Sequence, residues 1–259
     1  MSIVNDVLVA NGESGRGTLI GYYPAGYPNL QDSVDALVAM AKNGCDILEI
    51  GVPYSDPVMD GLVIQQATEV ALENGFRLHE VFDVISKVRA EVDTPILVMS
   101  YWNPILRHGV QQFASGVKES GAQGLITPDL IPDEAKDWIE ISDREELDRV
   151  FLVAPSSSDQ RVADNAEVSR GFVYSVSTMG ITGERAQLDQ IARGLVGRVK
   201  SSSKTPTCVG VGISTADQVR EVNSYADGAI VGTAFVKAYQ SGGLDALVEK
   251  TKELALGLG

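Results

Sequence analysis

Basic residues are scarce in this chain: 21 Lys and Arg stand against 35 Asp and Glu, a formal net charge of −14 over 259 residues. A field of that sign repels nucleic acid and anionic membrane surfaces over most of the molecule, so neither is expected as a partner. An anionic substrate is compatible with it only if held locally, by backbone N–H groups and helix N-termini. Histidine is rarer still. His79 and His108 have no metal-ligand spacing to each other or to a cysteine, so no metal is expected. Cysteine is limited to Cys45 and Cys208, each in an apolar stretch, as suits two reduced, packed thiols in a cytoplasmic protein. No apolar run reaches the ~20 residues of a bilayer span. The start, Met1-Ser2-Ile3-Val4-Asn5-Asp6, has no basic stretch leading into an apolar one, so no secretory leader is expected. A Pro/Ser-rich linker or low-complexity tract is also missing.

What is present is regular alternation. Apolar, β-branched runs fall at 18–23, 46–52, 95–101, 124–128, 150–154, 172–177, 206–211 and 228–232. Several, such as Ile96-Leu97-Val98-Met99, are apolar throughout, as strands of a parallel sheet buried on both faces are. Amphipathic segments separate them. Asp32 or Ser33 is a candidate cap for one, the next begins near His79, and a third follows Thr215 with Val219 and Val222 inward. Pro132-Asp133-Glu134 suits a helix start, and Gly44, Gly75 and Gly121 suit helix ends. Trp138 reads as partly buried packing, Trp102 as the end of the third strand, and Asp143-Arg144-Glu145-Glu146 as a solvated helix end. A length prior of ~150 residues per domain leaves room for two, yet α/β barrels run to ~250 as one unit. Eight evenly spaced units predict a single (β/α)8 TIM barrel over 1–259 rather than a doubly wound open sheet. In such a barrel the chemistry gathers at the C-terminal ends of the strands.

Four stretches carry polar groups there. Glu49 interrupts an apolar strand, on the opposite side from Leu48 and Ile50. Burial raises a carboxylate's pKa and suits it to acid/base work, although a structural hydrogen-bond network would also explain it. The following loop holds Asp56 and Asp60, stiffened by Pro53 and Pro57; a solvated turn with a helix cap is the alternative. Tyr174 sits in the sixth strand, lumen-facing or packed in the core, ahead of the small-residue loop Met179-Gly180-Ile181-Thr182-Gly183. Gly212 and Gly232-Thr233 end the seventh and eighth strands, where barrel enzymes hold phosphate on backbone amides; tight turning is the plainer explanation.

Leu48-Glu49-Ile50-Gly51-Val52-Pro53-Tyr54-Ser55-Asp56-Pro57, followed by Asp60-Gly61, closely resembles the signature of the tryptophan synthase alpha subunit family. The likeness continues through Tyr101 and Asn103, Pro128-Asp129-Leu130, Gly180-Ile181-Thr182-Gly183, Gly210-Val211-Gly212-Ile213-Ser214 and Gly232-Thr233. The resemblance implies a lyase that splits indole-3-glycerol phosphate into indole and glyceraldehyde 3-phosphate by retro-aldol cleavage. It implies Glu49 as general acid/base, Asp60 as the group that binds the indole N–H, and Tyr174 bordering the substrate near Glu49. Phosphate would rest on amides at Gly183, Gly212, Gly232 and Thr233, and Tyr22, Tyr101 and Thr182 would belong to the substrate pocket. The chain would need no cofactor. Its partner would be a beta subunit carrying PLP, in an alpha2-beta2 heterotetramer, met through Pro53, Asp56 and Asp129. Met59, Leu62, Tyr27 and Thr233 depart from the residues usual in the family at those places. Rival readings are another phosphate-binding barrel lyase or isomerase, and a silent barrel that activates a partner. An indole-glycerol-phosphate synthase would carry lysines in its strands, and the predicted strands hold none.

Overall fold

The computed structural model describes residues 2–176, 185–210 and 212–259, of 185–189 the backbone only. Its strands are β1 (Leu19–Pro24), β2 (Ile47–Gly51), β3 (Ile96–Met99), β4 (Gly124–Ile126), β5 (Asp148–Val150), β6 (Leu152–Val153), β7 (Val173–Val176), β8 (Thr207–Gly210) and β9 (Gly228–Val231). Every ladder is parallel, in the order β5-β4-β3-β2-β1-β9-β8-β7-β6. The two ends of this order, β5 and β6, are consecutive in the chain and separated only by Phe151, so the sheet curls into a nearly closed barrel. The expected strand at 150–154 is therefore one barrel position that changes partner midway. Residues before Phe151 pair with β4 and those after it with β7, while the Phe151 N–H turns to Ser169 Oγ at 3.3 Å. Counted by position, the eight expected strands are present.

Alternation along each strand separates two cores. Leu19, Tyr23, Leu48 and Ile50 point outward against Leu37 and Met40 of the helix Leu30–Lys42. Ile20, Ile47, Leu97, Ile126, Val150, Phe172, Cys208 and Ile230 point into the lumen. Val4 and Leu8 of the N-terminal helix Ile3–Glu13 close that lower lumen like a stopper. Apolar packing thus fills one end of the barrel and leaves the C-terminal end for chemistry.

Local signals held with some corrections. The helix Leu30–Lys42 is capped by Asn29, not Asp32 or Ser33, because Asn29 is extended and accepts the Asp32 N–H. Thr215 caps Ala216–Asn223 with a reciprocal capping box to Gln218. Gly44, Gly75 and Gly121 follow helix ends with φ of 135°, 92° and 96°. Pro132–Glu134 is a 3₁₀ turn ahead of the helix Lys136–Glu145. Trp138 is fully buried, not partly, and Trp102 opens the helix Trp102–His108 instead of ending β3. The acidic run ending that earlier helix is not merely solvated, since Asp143 pairs with both Arg149 and Arg170. Among the described residues no helix is long and apolar enough to cross a membrane.

Candidate active site

A cavity of about 220 Å³ opens at the C-terminal end of the barrel, and Glu49 and Asp60 both line it. Glu49 is placed by β2. Its neighbours Leu48 and Ile50 are drawn outward by the helix layer, which turns the carboxyl into the lumen. The residue is fully buried, and neither carboxylate oxygen has a hydrogen-bond partner among the described residues. Burial without compensation pushes its pKa up to about 8. At neutral pH this group is a proton donor.

Asp60 stands at the end of the loop after β2. Burial raises its pKa to about 6, and a hydrogen bond from Tyr101 opposes the rise. The Tyr101 hydroxyl also accepts the Met59 N–H at 2.8 Å, so one phenol holds two adjacent residues of the loop. Tyr101, expected in the substrate pocket, meets the cavity here through Asp60 and Met59, which line it. Pro57 and Asp60 carbonyls receive the Gln65 amide, tying the loop to the helix Leu62–Glu73. Asp60 is thus braced by a scaffold rather than hanging in a solvated turn. The two acids titrate on opposite sides of neutrality, the arrangement by which one site holds a donor and an anion together.

Tyr22, buried, and Tyr174, partly buried, complete the polar wall, and loss of water around each phenol raises its pKa. Across the cavity lie Gly212, Gly232 and Thr233. Gly212 has φ +68°, a conformation that favours glycine. Gly232 caps the helix Thr233–Ala255, whose first amide donors have no partner within the helix and offer an anion site at the cavity edge. None of the described lining residues is basic, so an anion here must rely on main-chain amides. Met59, Ile64, Met99 and Ile213 supply apolar walls suited to a flat ring. Sequence alone did not place Ile64 or Met99 in the site; Met99 was accessible to it, being two residues beyond the lumen-facing Leu97.

The remaining expected positions divide. Gly180, Ile181, Thr182 and Gly183 lie outside the described residues, as does Val211. Pro53 is buried, while Asp56 and Asp129 are exposed on the rim outside the cavity. Asp129 accepts the Trp102 N–H at 2.8 Å and so anchors the first turn of the helix Trp102–His108. Tyr27 packs with Tyr23 and Tyr239 at ring distances of 6.1 and 6.2 Å, away from the cavity.

This constellation can be set beside known proteins. The family model for the tryptophan synthase alpha chain matches residues 9–256. The chain belongs to that family. A tryptophan synthase alpha chain from Leifsonia xyli subsp. xyli is 55% identical over 257 residues, covering 99% of this chain and 98% of the relative. One from Mycobacterium intracellulare is 51% identical, covering 95% and 90%. In three dimensions, a chain of tryptophan synthase from M. tuberculosis in an aminoacrylate-bound form matches with a TM-score of 0.93 and 45% identity over the full length of both. A tryptophan synthase alpha-subunit from Pyrococcus furiosus matches with a TM-score of 0.84 at 35% identity, covering 92% of this chain and 98% of that one. As a member of the tryptophan synthase alpha chain family, the chain is a lyase of tryptophan biosynthesis that cleaves indole-3-glycerol phosphate and works with a beta subunit.

Proposed function

We propose that Glu49 and Asp60 divide the acid/base work of this cleavage. Protonated Glu49 delivers its proton to C3 of the indole ring, which turns the ring into an electron sink. Asp60, ionised, binds the indole N–H and stabilises the positive charge that develops on the ring. The Glu49 carboxylate then removes the proton of the C3′ hydroxyl. The bond between the ring and C3′ breaks, its electrons return to the indole, and the C3′ oxygen becomes the aldehyde of glyceraldehyde 3-phosphate. The proton given equals the proton taken, so Glu49 ends the cycle as it began. Tyr174 borders the substrate, Tyr22 belongs to the pocket, and Tyr101 positions Asp60. The phosphate rests on amides at Gly183, Gly212, Gly232 and Thr233, and Thr182 belongs to the substrate pocket.

The observation that carries this reading is a fully buried Glu49, without a hydrogen-bond partner among the described residues and held protonated, facing the same cavity as an ionised Asp60. General acid/base catalysis of this kind contributes typically ~10²–10⁴-fold in rate. In the same reading residues 1–259 act as one barrel domain in the cytoplasm. The chain needs no cofactor, and PLP belongs to the beta subunit of an alpha2-beta2 heterotetramer. Pro53, Asp56 and Asp129 form the contact with that subunit. Exposed Val58, Leu62, Leu106 and Ile131, which follow β2, β3 and β4 on this same rim, give it an apolar surface to cover. The test is indole release from indole-3-glycerol phosphate by the purified chain, with and without a beta subunit. Glu49→Gln is expected to abolish it; sustained turnover by that variant would remove Glu49 from the role.

A further inference from the structure

Tyr22 and Glu49 are register partners on β1 and β2, and both face the cavity. The Tyr22 ring lies in a slot between glycines of the two flanking strand ends. A Cβ on Gly232 would come within 3.0 Å of Tyr22 Cδ1. A Cβ on Gly51 would meet the phenol oxygen at 2.2 Å, and Cε2 and Cζ at 2.5 Å. Neither glycine has a positive φ, so backbone freedom does not require glycine at these positions. Close approach of the ring does. Gly51 is two residues beyond Glu49, ~6.6 Å further along the same face of β2. The phenol oxygen beside Gly51 and the Glu49 carboxyl therefore border a common gap, and the carboxyl has no hydrogen-bond partner among the described residues. The ring itself spans from Gly232, at the amide end of the cavity, to Gly51, at the acid end. A chain joining a phosphate at Gly232 and Thr233 to an indole at Asp60 must cross it.

We propose that the Tyr22 hydroxyl is a substrate-positioning group, which donates a hydrogen bond to a hydroxyl of the glycerol chain, with Gly51 as the notch that admits it. This rests on the proposed reading of the site and adds selection for a hydroxylated chain over a bare alkyl phosphate. Burial keeps the phenol protonated and hence a donor.

The test compares two ligands in the complex with a beta subunit: indole-3-glycerol phosphate, and 3-(indol-3-yl)propyl phosphate, the same frame without chain hydroxyls. Tyr22→Phe keeps the ring and its packing. It is expected to lower kcat/KM for the glycerol phosphate about five- to tenfold, the loss of one neutral hydrogen bond. Inhibition by the propyl phosphate should stay within about twofold of wild type, since no partner for the hydroxyl exists there. Equal weakening toward both ligands would make Tyr22 a packing residue and overturn the proposal, as would unchanged turnover. Glu49→Gln separates the two readings. If it abolishes turnover while Tyr22→Phe changes nothing, the acid/base reading stands and the Tyr22 assignment falls. If it retains turnover, the reading beneath both fails.

Discussion

Replacing Glu49 by glutamine should stabilise the fold, and the gain should grow with pH. In the folded chain burial holds the carboxyl neutral up to about pH 8, whereas its ordinary value is 4.5. Between those values the unfolded chain ionises and the native chain does not, so the native state binds the extra proton and loses stability as pH rises. At ~1.36 kcal/mol per pH unit, displacement across that interval corresponds to roughly 5 kcal/mol, complete above pH 8 and absent below about 4.5. Glutamine cannot ionise and escapes this term. Its amide also lacks a partner in the cavity, which adds an offset that does not vary with pH. Urea unfolding of both proteins at pH 5, 7 and 9, followed by the fluorescence of buried Trp138, gives the difference at each pH. The −14 background charge is common to both and cancels. The variant should gain on wild type by roughly 3 kcal/mol from pH 5 to 7 and by a further 1–2 from pH 7 to 9. A difference that stays flat from pH 5 to 9 would mean that Glu49 ionises normally in the native state, and the proton-donor argument would fail with it.

The same two acids set the activity profile. kcat/KM should require Asp60 ionised and Glu49 protonated, giving a bell with apparent limbs near 6 and 8, and Asp60→Asn should remove the acidic limb. Tyr101→Phe withdraws the hydrogen bond that restrains the Asp60 pKa and frees the Met59 N–H. The acidic limb should move upward, so the loss of kcat/KM is larger at pH 6 than at pH 8; an equal loss at both would contradict the brace. Gly124→Ala places a Cβ within 2.0 Å of the Asp148 carbonyl on the adjoining strand. Overpacking against backbone should lower stability by about 2–3 kcal/mol, visible in the urea midpoint with little change in KM.

Much of this was legible along the chain. Short, near-continuous apolar runs recurring eight times between amphipathic segments point to parallel strands buried on both faces. Alternation sets the Glu49 carboxyl on the side of its strand opposite Leu48 and Ile50, and the barrel makes that side the lumen. Gly212 and Gly232 at successive strand ends direct attention to that rim, and the motif from Leu48 to Gly61 carries the family resemblance. Other features exist only in three dimensions. The partner change at Phe151 depends on Ser169, 18 residues away. Tyr101 is 41 residues beyond Asp60, and its role as a brace arises only where β2 and β3 lie side by side. The ionisation of the two acids was likewise undecided by their identity. The same glutamate in a turn would stay charged at neutral pH, and what lifts it to about 8 is the removal of water by the barrel around it. Sequence selects which groups enter the lumen. Tertiary packing sets how dry that lumen is, and dryness fixes which acid holds the proton.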